Sequence, residues 1–599
     1  MSRLVQSDLG LLVRPQTVSV GDAAALAPEA VRQWLLDLPR ANIGQMTKAV
    51  YERLANSNRY RLSPKVRLGF LEVMTPEIER LLELLEQRFR NATFSFTEKQ
   101  RKIIALVRAI LKEQAIAYKS VVHQDWLTSD GRNERSMLVR TLVLAVYYQA
   151  RQINHYFRCY TEIPPTLWKE LYLLFELARR NELDNMTVPL PKPSVQASVR
   201  TLFKSCLLIA LANPNQLRVQ EFWTLQFNHL ELARKLRLVS PHLDEAQFVV
   251  QLRSDSGPIQ KALCPDCHAK GLIGIDTQAL VFYLQQLMSG ETSSSNELNK
   301  MLMHHLVAAL GHLSTRSFAR VPCHRKAKLA VGLAATSSQL EQYALHMEDD
   351  VAAPDALSAL EGSLRDAKIL DDDETYRATH QEEDDPWEKL YRPKVSVNDD
   401  PELQKKYHLS GDLVKKPVSK LYQMKAVTVR DSSPSGYGIY FDEEAPVQTQ
   451  TDEVVGLFEM DSDNPSQGKW SIGVIRWIQW KDTKLCVGIQ SLSTSAEPIT
   501  LKLKQKRKEP VAEHRALLLP EMPHVGQPHT VLTPALPYKE GDTVHVQTQT
   551  ESFTIKLEAR VAHGRGYQRF EYRRLESPSP SVRKERLVDD DLDDVWQLL

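Results

Sequence analysis

Through the first half of the chain, apolar residues recur every three to four positions, the spacing of an amphipathic helix. Leu81, Leu82, Leu84 and Leu85 sit among charges over 74–89, and Ile103, Ile104, Leu106, Val107, Ile110 and Leu111 extend the stripe over 100–122. The same spacing predicts helices over 136–157, 167–180, 199–211 and 219–236, and around Leu280 and Leu302. Trp168, Leu171, Tyr172 and Phe175 give the 167–180 helix a broad apolar face, and Asn213-Pro-Asn separates two of the others. Beyond residue 420 the period shortens to two. Strands are predicted at 424–429, 437–441, 454–458, 470–480 and 485–492, and an isolated one at 326–333, where Leu329 and Val331 alternate as in a half-buried strand. A last group, 515–519, 530–532, 542–547, 553–557 and 568–572, is punctuated by Pro and Gly and has the size of a small barrel. The fold class expected is therefore α+β and multidomain, helical first and β-rich after.

Length supports several domains, because 599 residues exceed what one hydrophobic core holds. Charged residues at 25% and hydrophobic ones at 42% are ordinary for a globular protein. A net charge of +1 argues against nucleic-acid binding through bulk electrostatics. No apolar run is long enough to span a membrane, and the first residues lack the apolar core of a signal peptide. Six cysteines in so long a chain do not make a disulfide framework. The expected location is the cytoplasm.

Acidic blocks mark a different kind of segment. Glu348-Asp-Asp, Asp371-Asp-Asp-Glu374, Glu382-Glu-Asp-Asp385 and Asp399-Asp400 crowd a stretch with few apolar residues. Like-charge blocks bury too little surface to offset chain ordering, so 336–414 is expected to be largely disordered, with a helical start near 334–345. The terminal run from Asp589 is a second acidic tail, over 577–599.

Two short motifs flank that insert. Arg316-Ser-Phe-Ala-Arg320 pairs arginines four apart, ahead of the 326–333 strand. Asp431-Ser432-Ser433-Pro434-Ser435-Gly436 reads D-x-S-x-x-G between two predicted strands. Guanidinium groups fork onto phosphate or a guanine O6/N7 edge and stack on rings. A carboxylate such as Asp431 accepts the guanine N–H donors, Ser433 offers a hydroxyl, and Gly436 lets backbone approach a ligand without a Cβ.

Read in order, RxxxR, strand, strand, DxSxxG and strand, with a closing hairpin over 473–492, resemble the PilZ domain, the bacterial receptor module for cyclic di-GMP. The departure is an insert of about ninety residues between the first two strands, where family members have a short loop. The resemblance implies that cyclic di-GMP is bound by Arg316, Arg320, Asp431, Ser433 and Gly436, with Arg430 and His324 as weaker candidates. It implies an effector and not an enzyme, passing the signal to a protein partner of the type IV pilus, motility or surface-attachment machinery and recruited to a membrane-associated or polar complex. The competing reading is a PilZ-like scaffold or adaptor that binds protein or RNA without a nucleotide. The organisation expected is a helical scaffold at 1–310, a PilZ-like barrel at 311–335 and 415–500 around the insert, and a small barrel at 510–576.

Cys264-Pro-Asp-Cys267-His268 matches a haem-attachment spacing, but that chemistry follows export and no export signal is present. Cys264, Cys267, His268 and Cys323 would be the zinc candidates; the unspaced Cys323-His324 pair suits one metal poorly, so no metal or cofactor is expected.

Overall fold

The computed structural model describes residues 5–352 and 422–575, apart from 8, 20–22, 91, 93–95, 129–134, 192–194, 243, 267, 291–297, 312–318, 461–467, 504–512 and 522–527. Two compact units divide the chain.

The first unit runs to Ala319 and takes in Trp477–Val487. A two-stranded ribbon, β1 (Val5–Gln6) and β2 (Leu12–Val13), precedes the helices α1 (Pro28–Leu36), α2 (Ile43–Ser57), α3 (Pro64–Gln87), α4 (Glu98–Thr128), α5 (Arg135–Arg158) and α6 (Leu167–Arg180). After the pair β3 (Val188–Pro189) and β4 (Gln196–Ala197) come α7 (Val199–Leu211) and α8 (Val219–Arg234). The predicted apolar stripes form one core: Leu81, Leu82, Val107, Leu142, Ile153, Phe175 and Phe203 are all buried. Serine caps start two helices, Ser63 accepting from the Val66 N–H and Ser198 from the Thr201 N–H. Within this unit Trp480 donates its N–H to the Tyr160 carbonyl at 2.6 Å, and Arg101 lies over its ring.

One stretch departs from the helical expectation. Residues 237–276 form an antiparallel sheet, β5 (Arg237–Val239), β6 (Phe248–Gln251), β7 (Ile259–Gln260) and β8 (Leu272–Asp276), in the order β5-β8-β6-β7. Strands of two to five residues are too short for alternation to register as a period. The helices α9 (Gln278–Ser289) and α10 (Lys300–Gly311) follow.

The strands β9 (Val321–Val331), β10 (Lys425–Ser433), β11 (Gly436–Phe441), β12 (Val454–Met460), β13 (Gly468–Lys481) and β14 (Lys484–Ser493) close a barrel in the order β10-β11-β14-β13-β12-β9, and apart from Trp477–Val487 they belong to the second unit. Between β9 and β10 in sequence, α11 (Leu333–Ala352) occupies the start of the acidic stretch, so its first residues are helical; 353–414 and 577–599 lie outside the described residues. The helix packs Leu333, Leu340 and Tyr343 against Phe458 and Trp470.

A second six-stranded barrel is built from β15 (Glu497–Leu503), β16 (Glu513–Leu519), β17 (Thr530–Pro534), β18 (Thr543–Gln547), β19 (Ser552–His563) and β20 (Tyr567–Leu575). The two barrels share a core: Leu333, Val454 and Trp470 from one side join Leu517, Leu532 and Tyr567 from the other. Asp452 clamps the same junction, accepting Arg476 at 2.9 Å and Arg565 at 2.5 Å.

Candidate functional site

The β10–β11 hairpin turns through Pro434 and Ser435, with Ser433 opposite Gly436 and Asp431 opposite Gly438. The register slips between Val429 and Asp431 against both β9 and β11, which makes Arg430 a bulge. A bulge re-aims side chains that strict alternation would send to opposite faces. Here it lets Arg430 reach its own neighbour: Nε and Nη2 donate to Asp431 Oδ2 at 2.8 and 2.7 Å. Arg320 approaches from the residue before β9 and donates Nη1 to Asp431 Oδ1. Two guanidinium groups therefore converge on one buried carboxylate.

Burial by itself would raise the Asp431 pKa, but the hydrogen bonds and charges of Arg320 and Arg430 outweigh it and hold the carboxyl below its ordinary value. The sign follows directly. A depressed folded-state pKa contributes stability above the unfolded value near ~3.9, which is lost as pH falls through the folded one. Acid titration of the Asp431→Asn protein should accordingly show less loss of stability below about pH 4 than the wild type; equal slopes would remove Asp431 from the acid response.

Glycines shape the wall. A Cβ on Gly438 would stand 2.6 and 2.7 Å from the Asp431 carboxylate oxygens, so only glycine leaves that group its place. Gly436, at φ 151°, presses its Cα side against β14, where a Cβ would lie 2.0 Å from the Ile489 carbonyl oxygen. The Ser433 hydroxyl lies 3.1 Å from that of Ser435 and donates to the Gly436 carbonyl at 3.3 Å, tying the turn. Around this centre Arg325 pairs with Glu459 at 2.7 Å and reaches the Ser432 hydroxyl at 3.4 Å. His324 meets the Tyr440 hydroxyl at 3.3 Å.

Of the predicted ligand residues, the structure brings Arg320, Asp431, Ser433 and Gly436 into one corner of the barrel; Arg316 lies outside the described residues. Sequence reasoning gave Arg430 a minor place and missed Gly438. The signal for the glycine was present, since Gly436-Tyr-Gly438 puts two glycines on one strand face, but its meaning depends on the cross-strand register.

Three of the zinc candidates, Cys264, His268 and Cys323, are described. Cys264 donates its S–H to the Asp266 carbonyl at 3.4 Å, and His268 stacks on His242 with ring centroids 5.2 Å apart. Cys323 sits on β9 beside the Val429 carbonyl, and Cys267 lies outside the described residues. Among the described residues no three His, Cys, Asp or Glu side chains form a metal-ligating group. On the last hairpin Arg573 pairs with Glu558 and Arg574 with Glu551.

Three family models match the chain in succession: the N-terminal domain of the cyclic-di-GMP receptor FimW over 29–242, its middle PilZ domain over 247–498, and its C-terminal β-barrel domain over 499–575. A curated relative, the cyclic-di-GMP receptor FimW of Pseudomonas aeruginosa, is 28% identical over 613 aligned positions, which cover 98% of this chain and 97% of the relative. The middle model begins well before the first barrel strand and takes in the β6–β8 strands and the helices that follow.

Proposed function

This chain belongs to the PilZ-domain family of cyclic di-GMP receptors, with the three-domain order of its FimW members, and from that premise we propose that it binds cyclic di-GMP at the Arg320–Asp431 corner. The observation that carries the reading is the convergence of Arg320 and Arg430 on the buried Asp431. Arginine forks suit both the phosphates and the guanine O6/N7 edge of the ligand, and the carboxylate suits the guanine N–H donors. The carboxylate holds both guanidinium groups near the wall, so part of their ordering cost is met before binding. Ligand would then draw Arg320 off Asp431 and onto its own phosphates and bases, where Arg316 would join it. Ser433 and Gly436 act through the turn, by keeping the backbone low beneath the ligand.

The protein on this reading is a receptor and not a catalyst. Its output is a protein partner, in the type IV pilus, motility or surface-attachment machinery, reached from the cytoplasm. No described helix is long and apolar enough to cross a membrane, which agrees with recruitment in place of insertion.

Calorimetry with cyclic di-GMP tests the site. The wild type should bind at low-micromolar Kd or tighter, and Arg320→Ala should weaken binding at least about tenfold, the loss expected for charge-assisted hydrogen bonds worth ~1.5–3 kcal/mol. Arg316→Ala should weaken it comparably. A wild type that gives no heat at several temperatures, or an Arg320→Ala protein that binds as the wild type does, would overturn the assignment.

A further inference from the structure

The helical unit contains a cavity lined by cations, apart from the proposed nucleotide site. Between α4, α5 and the start of α6 lies a cavity of about 220 Å³, roofed by Leu12 of the N-terminal ribbon. Three cations line it, Arg108, Lys112 and Lys119, against one carboxylate, Glu170, so two positive charges are left over.

Each cation has capacity to spare. Lys119 is buried and pairs with Glu170 at 2.7 Å, one bond from a group that carries three donors. Glu170 is already shared, since it also accepts the Leu12 N–H at 2.8 Å. Arg108 lies over the Tyr156 ring at 4.2 Å and donates Nη2 to Thr161, while its buried Nε has no partner among the described residues. Lys112 is exposed at the rim and makes no ion pair among the described residues.

Leu12, Ile116, Tyr156 and Leu167 supply apolar wall between these charges. The volume falls below the roughly 300–1,000 Å³ of a drug-sized site, which points to something near the size of one amino acid or a short acyl group. Glu170 in the wall opposes a dianion such as phosphate. We propose that this cavity binds a small monocarboxylate with an apolar body, its carboxylate between Arg108 and Lys112 and its body against Ile116 and Leu167. A free acid and the C-terminus of a polypeptide offer the same chemistry.

The test uses the full-length chain and ligand-observed NMR with calorimetry. N-acetyl-leucine should bind with a millimolar or tighter Kd, and its uncharged amide at least about tenfold more weakly. Lys112→Gln, a surface change that should leave the melting temperature alone, and Arg108→Gln should each weaken the acid about tenfold. A tetrapeptide ending in a free leucine carboxylate identifies chain ends as the source if it competes with the acid, and free acids if it does not; either supports the site. The proposal fails if acid and amide bind alike, if inorganic phosphate displaces the acid, if Lys112→Gln binds as the wild type, or if no acid binding is detected up to about 20 mM.

Discussion

Replacing Gly436 by alanine is expected to destabilise the barrel unit by about 3 kcal/mol or more and to abolish cyclic di-GMP binding with it. Two independent costs add. The backbone at φ 151° is one that residues with a side chain seldom adopt, and a Cβ there would stand 2.0 Å from the Ile489 carbonyl oxygen and 3.1 Å from the Gln490 Cα. Both neighbours are backbone of β14, held in the barrel ladder, so no rotamer change relieves the overlap. Gly541, in the same unit, separates the two costs. It has φ 86° with nothing near its missing Cβ, so Gly541→Ala should pay only the left-handed strain, about 1–2 kcal/mol. Calorimetric melting of the two variants measures the difference. If both lose the same stability, the contact with β14 is not what requires glycine at 436.

The second large effect lies in the helical unit. Lys119 and Glu170 have side chains only 3% and 4% exposed, and they come together from α4 and α6. Burial pushes the Lys119 ammonium pKa down, and the Glu170 partner opposes that shift without cancelling it. Removing one member of such a pair leaves an uncompensated charge in the interior, so Lys119→Met should cost about 3–5 kcal/mol in denaturant titration. Glu170 also holds the N-terminal ribbon through the Leu12 N–H, so it cannot be deleted as cleanly. The double change Lys119→Met/Glu170→Gln keeps an acceptor for that N–H while removing both charges. It should recover most of the loss, because a neutral buried pair carries no desolvation penalty of this size. A double variant as unstable as Lys119→Met would mean that packing and not charge sets the cost.

Much of the architecture was legible in the order of residues. The stripe of Ile103, Val107, Ile110 and Leu111 specified a buried helix face wherever it packed, and alternation at Leu329 and Val331 specified a strand with one side in a core. The D-x-S-x-x-G turn, flanked by strands, marked the barrel whose corner holds Arg320 and Asp431. The 237–276 sheet escaped notice because its strands are shorter than a detectable period, and their pairing is made by partners up to 39 residues away.

Periodicity and turn composition are local properties, so they determined which segments would be helix, strand or turn and which faces would be buried. Distances between residues remote in sequence are set by register and packing, and those only the tertiary structure decided. Arg320 reaches Asp431 across 111 positions because β9 pairs with β10. Arg430 joins them because it is the extra residue of β10 against β11, and Gly438 must be glycine because that pairing places it opposite the carboxylate. Lys119 finds Glu170 across 51 positions through helix packing that no stripe of apolar residues encodes as a pair. Each of these contacts rests on an alignment of two segments to within an ångström, and a linear pattern carries no information at that scale about which two will meet.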